Sequence, residues 1–390
     1  MNPKLATRNL LVTMLNYLLS PLGYLYGQVM RLRSRFYEFG LFKTRSLPCR
    51  VISIGNLTLG GTGKTPVTMW LADYIRSKEK KVTIVSRGYR AKNKRPVSIV
   101  SDGQRILLGP DEAGDEPFMM ARNLPGVPLL IGNERFLVGM RAIEDFSPDV
   151  VLLDDGYQHL GLARDLNLLL LRTVKPFGNG RVFPAGTLRE PLSALKRADA
   201  FILTYAEEEA GSVMEEQRLF LQESFPNKPV FVSYCKPISF YLLNDGKNVI
   251  ARSEATWQSH QLGADSAIPK DKIASPSARN DKKWEFLGGK KALAFCGIAH
   301  PESFRNMLIR LGIDLVDFIA YRDHYDYHRG DLEKIEERAA RKGAEYIITT
   351  EKDAVKIETP IKLNIPIGVL KTEFIFESDF AAFVSGLLGI

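Results

Sequence analysis

The chain has 390 residues, 45% of them hydrophobic, which suffices for a packed core and excludes a disordered or fibrous polypeptide. Its formal net charge of +8 is unevenly spread, since Lys4, Arg8, Arg31, Arg33 and Arg35 all precede the first acidic residue, Glu38. The three cysteines Cys49, Cys235 and Cys296 lie far apart, with neither zinc-ligand spacing nor a disulfide framework, so a reducing compartment is expected.

From Asn9 to Met30 no residue is charged, and Leu11, Met14, Leu15, Leu18, Leu22 and Leu25 recur every three or four positions. That spacing makes one apolar helical face. The run approaches the about 20 apolar residues of a bilayer span, but Asn9, Asn16, Ser20, Pro21, Gly23, Gly27 and Gln28 dilute it. The expectation is an amphipathic helix lying in a membrane interface, with Tyr17, Tyr24 and Tyr26 at the boundary and Arg31, Arg33 and Arg35 on anionic head groups. A packed helix hairpin is the plainer alternative, and no small-residue cleavage site marks a signal peptide.

Next comes Val51-Ile52-Ser53-Ile54, a short strand pattern, followed by Asn56-Leu57-Thr58-Leu59-Gly60-Gly61-Thr62-Gly63-Lys64-Thr65-Pro66 and a helical pattern from Val67 to Ile75. Strand, glycine-rich turn, Lys-Thr and helix in this order form a phosphate-binding loop. Gly60, Gly61, Thr62 and Gly63 let backbone N–H groups converge, Lys64 reaches terminal phosphates, and the Thr65 hydroxyl can ligand Mg²⁺. The strict pattern has glycine where Thr58 stands.

Lys81 to Val85 predicts the next strand, ending at Ser86-Arg87-Gly88-Tyr89-Arg90. Alternating strands and helices imply a parallel sheet, whose ligands gather at the strand carboxyl ends. Arg87 and Arg90 would lie there, either on phosphate or as a solvated basic turn. The segment Gly109 to Pro117 carries Asp111, Glu112, Asp115 and Glu116 before a helix near Phe118. These acids suit a helix start, and one facing the phosphate site could accept a hydroxyl proton; spacing leaves the choice open. Asp149 to Asp155 is an apolar strand ending in Asp154-Asp155, the pattern of a Mg²⁺-holding Walker-B element. His159 reads as a turn residue.

After a strand from Leu166 to Leu171, the stretch Phe177 to Pro191 is a long ordered loop with Asn179, Arg181, Arg189 and Glu190 as candidate substrate or metal contacts. Strands follow at Ala198 to Thr204 and Val230 to Val232, with a surface helix between them. Residues from about 251 to 283, including His260, read as a polar insertion. Order returns at Lys291 to Cys296, with helices at Glu302 to Leu311 and Gly330 to Lys342 and a strand from Tyr346, forming a second, smaller α/β unit. His324, flanked by Asp323 and Asp326, is either a turn histidine or a proton-relay partner.

Taken in order, Gly60-Gly61-Thr62-Gly63-Lys64-Thr65-Pro66, Ser86-Arg87-Gly88-Tyr89, Gly114-Asp115-Glu116-Pro117, Asp154-Asp155-Gly156-Tyr157-Gln158-His159, Phe183-Pro184-Ala185-Gly186, Arg322-Asp323-His324 and Thr350-Glu351-Lys352-Asp353 resemble the tetraacyldisaccharide 4′-kinase family. The resemblance implies an α/β, P-loop kinase-like parallel sheet with a smaller α/β domain and an N-terminal amphipathic membrane-associated helix. The implied parts are residues 1–45, 46–230 and 231–390. It implies phosphorylation of the 4′-hydroxyl of a tetraacylated glucosamine disaccharide 1-phosphate by ATP with Mg²⁺, on the cytoplasmic face of the bacterial inner membrane. Among the acids it selects Asp115 as base, assisted by His324. Arg87, Asn179, Arg181 and Arg189 become candidate substrate contacts, and Thr65, Asp154, Asp155 and Glu190 candidate metal contacts. Glycolipid and an anionic phospholipid surface are the expected partners, with no nucleic-acid or protein partner. Thr187 stands where the family pattern suggests proline. The alternative is a membrane-associated P-loop ATPase or GTPase switch without an acceptor, though no guanine-selecting Asn-Lys-x-Asp sequence is present.

Overall fold

The apolar run that precedes the phosphate loop becomes a central strand, because six of the seven residues of β1 (Arg50–Asn56) are buried and only a strand between two neighbours can hide both faces. The computed structural model describes residues 17–208, 211–243, 249–251, 284, 286–357 and 363–389. Expectations placed on residues 1–16, on most of the polar insertion and on His260 lie outside the described residues.

In chain order the elements are α1 (Ser20–Glu38), β1, α2 (Lys64–Ser77), β2 (Val82–Ser86), β3 (Ser98–Asp102), α3 (Asp115–Asn123), β4 (Pro128–Ile131), α4 (Arg135–Phe146), β5 (Val150–Asp154), β6 (Leu166–Arg172), β7 (Ala200–Thr204), α5 (Gly211–Ser224) and β8 (Val230–Leu242). There follow β9 (Val249–Ala251), β10 (Lys291–Cys296), α6 (Pro301–Arg310), β11 (Asp314–Ala320), α7 (Arg329–Arg341), β12 (Tyr346–Thr350), β13 (Ile367–Phe376) and α8 (Ser378–Leu388).

The strands form one sheet in the order β11-β10-β12-β13-β8-β7-β6-β1-β5-β2-β4-β3, with β9 beside β8. From β7 to β4 the neighbours are parallel, as they are from β11 to β13. The two parallel sets meet at one antiparallel seam. Strand β8 begins parallel to β7, with Val230 opposite Phe201, and then runs on to pair antiparallel with β13, from Ser233 opposite Phe376 to Leu242 opposite Gly368. Because β10 and β12 follow the direction of β13, their carboxyl ends point back towards those of β1, β5 and β2. This arrangement places the ligand-binding edges of both sets across one cleft.

Helix α2 buries Val67, Leu71 and Ile75, spaced every four residues, together with Thr68 and Ala72, and so lays one stripe on the sheet. Its other flank meets the C-terminal helix: Trp70 stacks on Tyr74 and packs against Phe376 and Phe380, while Tyr74 Oη donates to Ala381 O at 2.9 Å. The phosphate-loop helix is therefore wedged between the two sets.

Helix α1 turns Gly23 and Gly27 onto the loop around Val182 and Ala185 and leaves Leu22, Tyr24, Leu25, Val29 and Leu32 exposed. Arg33, expected on head groups, instead donates to Gln158 O at 3.0 Å. Among the described residues no helix is long and apolar enough to cross a membrane.

Close packing under the site gives a stability prediction. A Cβ on Gly55 would stand 2.5 Å from Tyr157 Cβ and 2.9 Å from Tyr157 N. Gly55→Ala should cost about 1–3 kcal/mol, the range for overpacking a tight core, measured as a lower urea midpoint at unchanged slope. An unchanged midpoint would show that the β1–Tyr157 contact yields freely.

Candidate active site

At the carboxyl end of β1 the chain folds into the expected loop. Gly60 and Gly63 have φ of 110° and 81°, which side-chain-bearing residues rarely adopt. Thr58 does not share that conformation and forms an antiparallel bridge with Leu188, which accounts for the missing glycine. Around that bridge Leu59 N donates to Thr187 O at 2.6 Å and Arg189 N donates to Leu57 O at 2.6 Å. The long loop of residues 177–191 thus holds the first half of the phosphate loop by its backbone. On the other side Thr204 Oγ1 donates to Thr62 O at 3.0 Å, and Phe374 lies where a Cβ on Gly63 would be 2.6 Å away. Cβ atoms on Gly60 and Gly61 would stand 3.6 Å from His300 and 3.4 Å from Ala299, so the β10–α6 turn roofs the loop.

Helix α2 starts at Lys64 with no side-chain cap, leaving its first N–H groups for an anion, and Thr65 is buried in the first turn. Lys64 Nζ donates to Asn56 Oδ1 at 3.3 Å and lies 3.6 Å from Asp155 Oδ1.

The paired aspartates separate in environment. Asp154, buried at the end of β5, accepts from Thr68 Oγ1 at 3.3 Å and Ser86 Oγ at 2.9 Å. Burial, reinforced by the charges of Glu116 and Asp155, pushes its carboxyl up to about 6 against the pull of Lys64. A divalent cation would relieve that crowding of negative charge, and hard oxygen donors are the set such a cation takes. Among the described residues no cluster of three or more His, Cys, Asp or Glu forms a metal cage. Asp155, with φ of 50°, turns the other way. Both its oxygens accept from Arg189 Nη1, at 2.8 and 2.9 Å. Burial would raise its carboxyl, but Lys64 and Arg189 outweigh burial and hold it below the usual carboxylate range.

Asp115 begins α3 behind Gly114, whose φ of 87° aims the helix start into the cleft. Its Oδ2 lies 2.7 Å from His324 Nδ1, and its Oδ1 accepts from Glu116 N at 3.0 Å. Burial raises its carboxyl, yet the His324 bond and the charges of Lys352, His324 and Lys356 prevail and lower it. His324, with φ of 57°, is fixed from the far side by its N–H on Gly297 O at 3.0 Å and by Arg90, whose Nη1 donates to His324 O. The Tyr89 ring stands edge-on at 5.4 Å. Of the four acids in the segment, Asp115 and Glu116 face the cleft, and Asp111 instead pairs with Lys92 at an exposed site.

Other expected contacts fall elsewhere. Arg87 is exposed at the end of β2, open to a ligand. Asn179 uses its amide to close its own loop, donating to Ala185 O at 3.0 Å and accepting from Arg181 N at 3.1 Å. Arg181 turns to α1, donating to Ser20 Oγ at 2.9 Å with its guanidinium 4.5 Å from the Tyr17 ring centre. Together with Tyr24, Arg31 and Pro191 it lines a cleft of about 370 Å³ between α1 and the loop. Glu190 differs most from expectation: its side chain is 1% exposed and both oxygens accept from Arg197 Nη2, at 2.9 and 2.7 Å. Arg197 in turn reaches Ser34 of α1 at 3.1 Å and lies over the Tyr157 ring. Glu190 therefore anchors a structural arginine where a metal-facing oxygen was expected.

The sequence pattern does not single out Glu116, His300 or Arg135. Arg135 is buried at the start of α4, pushed down to about 10 by burial despite the opposing charges of Asp154 and Asp155. His300 is pushed down to about 4 by burial and Arg172. A Glu adjoining Asp115 and a His before a helix proline are the signals that were available.

The chain is similar to known proteins over most of its length. Residues 15–389 match the family described as Tetraacyldisaccharide-1-P 4′-kinase. The tetraacyldisaccharide 4′-kinase of Syntrophus aciditrophicus (strain SB) is 40% identical over 352 residues, 88% of this chain and 84% of that protein. The one from Desulfotalea psychrophila (strain LSv54 / DSM 12343) is 40% identical over 363 residues, covering 92% and 93%. Among solved structures, the "apo" form of LpxK from Aquifex aeolicus in complex with ATP matches with a TM-score of 0.67 at 32% identity, covering 96% of this chain and 99% of that one.

The Glu190–Arg197 pair gives a direct test of its role. Glu190→Gln should lower stability by about 2–4 kcal/mol, towards the low end for breaking a buried pair because Arg197 keeps some solvent. Its Mg²⁺ requirement for nucleotide binding should stay unchanged. Lost Mg²⁺ affinity at normal stability would return Glu190 to the metal.

Proposed function

This chain belongs to the tetraacyldisaccharide-1-P 4′-kinase family, and we propose that it carries out the phosphoryl transfer with Asp115 as base, in a cleft closed by both halves of the sheet. The reaction moves the γ-phosphoryl group of ATP to the 4′-hydroxyl of a tetraacylated glucosamine disaccharide 1-phosphate, giving lipid IVA. The family assignment bears out the resemblance carried by the sequence motifs, and nothing favours the acceptor-free ATPase or GTPase reading.

One observation carries the assignment of roles: an acid on the nucleotide-binding half and a histidine on the other half lie 2.7 Å apart beside the phosphate loop. Asp115 accepts the proton of the sugar hydroxyl as the O–P bond forms, and His324 orients that carboxylate. Backbone N–H groups of Gly60 to Lys64 and the Lys64 ammonium hold the β- and γ-phosphates. Thr65 and Asp154 would hold Mg²⁺, which supplies charge neutralisation to the transferred group. Asp155 keeps Lys64 and Arg189 in place, and Arg189 and Arg87 face the negative charge of the substrates. With little covalent chemistry demanded of the protein, catalysis rests on positioning and electrostatics.

We place residues 46–230 as the nucleotide-binding unit and 231–390 as the smaller unit that brings His324. Residues up to about 45 are the membrane-facing part. The exposed Leu22, Leu25, Val29 and Leu32 of α1 support an interfacial position on anionic phospholipid, at the cytoplasmic face of the inner membrane. Arg181, which lines the cleft beside α1, and Asn179, which holds the loop that carries it, belong to the acceptor side of the site.

Asp115→Ala should retain ATP binding, measured by calorimetry, while transfer to tetraacyldisaccharide 1-phosphate falls by about 10²–10⁴-fold, the usual worth of a general base. Undiminished transfer would remove Asp115 from the chemistry.

A further inference from the structure

The cluster around the base contains a cation for which the transfer scheme has no place. Lys352 lies in the helical turn Glu351–Ala354 that follows β12. Its Nζ stands 2.9 Å from Glu116 Oε1, 3.1 Å from His324 Nε2 and 3.4 Å from Asp323 Oδ1. An ammonium group has three hydrogens and no acceptor, so its contact with Nε2 requires the lone pair of that nitrogen. The ring proton then sits on Nδ1 and donates to Asp115 Oδ2 at 2.7 Å. Glu116 Oε1 and Asp323 Oδ1 are each 3.9 Å from Nε2, beyond the reach of a hydrogen on it. The imidazole is thereby pinned at both nitrogens, by a donor on one side and an acceptor on the other.

We propose that Lys352 is a positioning residue for the transfer: it donates to His324 Nε2, holds the ring with Nδ1–H on Asp115, and supplies positive charge that favours the ionised base. This rests on the reading of Asp115 as base. The cation does a second thing, since its contact with Glu116 ties the turn after β12 to α3 across the cleft. Lys352 and His324 come from one half of the sheet and Asp115 and Glu116 from the other, so the clamp exists only while the halves are together.

The charges around the ring are consistent with this role. Asp115 and Glu116 face it from α3, Asp323 from its own loop, and Lys352 from the turn after β12; Lys356, one helical turn beyond, adds its field to Asp115. On the remaining side stand the Tyr89 ring and Arg90, the latter bound to the His324 carbonyl. Burial works against the Lys352 charge, but Glu116, Asp323 and Asp115 more than offset it and raise its pKa.

Removing a positive charge beside Asp115 raises that carboxylate's pKa, and a base needed in its ionised form loses activity as pH falls. In Lys352→Met the acid limb of the kcat profile should move up by about 1 pH unit, roughly a ten-fold loss at fixed pH on that limb. KM for ATP should stay within about two-fold, because the group meets no nucleotide-loop residue. Lys352→Arg, which restores a donor-only cation, should bring the limb back most of the way. Lys352→Gln, a shorter polar side chain without the charge, should behave as Met does; it carries the test if the Met variant does not fold.

Long-range ¹H–¹⁵N spectra of the histidine-labelled full chain report the ring directly, with His324 assigned by its loss in His324→Ala. Nδ1–H in the unmodified protein is the expected result. An Nε2–H ring, an unmoved acid limb in both neutral variants, or a Lys352→Arg variant no better than Met would each overturn the inference. Asp115→Ala run alongside separates the two readings. If that variant keeps transfer, the base assignment fails whatever Lys352 does; if it is inactive while the Lys352 variants keep an unmoved limb, only the role of Lys352 fails.

Discussion

The contact on which the rest depends is the 2.7 Å bond between His324 and Asp115, because it joins two halves of a sheet whose loops would otherwise form separate sites. It is possible only because β8 changes partner partway along its length, from parallel with β7 to antiparallel with β13. That reversal points β10 and β12 back at β1 and β5. Small backbone features then complete the approach: Gly114 and His324 both adopt positive φ, and Gly297 and Arg90 hold the His324 backbone. A base made this way requires the halves to be together.

Beside that bond the phosphate loop is an exercise in sorting charge. Asp154 and Asp155 are neighbours in sequence, yet burial among other acids raises one and Lys64 with Arg189 lowers the other. Paired groups driven apart in this way take different tasks. The raised acid suits a divalent cation, and the lowered one fixes the cations that meet phosphate. The loop of residues 177–191 serves the same end from outside the sheet, bracing Leu57 and Leu59 by backbone hydrogen bonds while presenting Arg189.

Much of this was legible in the sequence. The phosphate loop, the strand ending in Asp154-Asp155, and the segment bearing Asp115 each carry their signal within a few consecutive residues, where period and turn chemistry can be read. The choice of Asp115 among four acids, and its pairing with His324, came from family resemblance, since spacing cannot relate residues 209 positions apart. The part played by Glu190 was not legible for the same kind of reason: an acid in a loop reads as a free ligand, and only packing reveals that Arg197 occupies both oxygens. Thr58 looked like a defect in a glycine pattern and is a bridge residue that needs no glycine. Strands β3, β4 and β13 and helices α4 and α8 carried too little local pattern to be placed. The long β8–β13 pairing, which organises the cleft, is a contact between distant segments.

If the base is assembled across the two halves, Asp115 and His324 act as one unit, and a double-mutant cycle on kcat measures that unity directly. The account predicts that Asp115→Asn combined with His324→Ala is scarcely slower than Asp115→Asn alone, because His324 acts through the carboxylate. Fully additive losses, with the double variant slower by the product of the single effects, would contradict it.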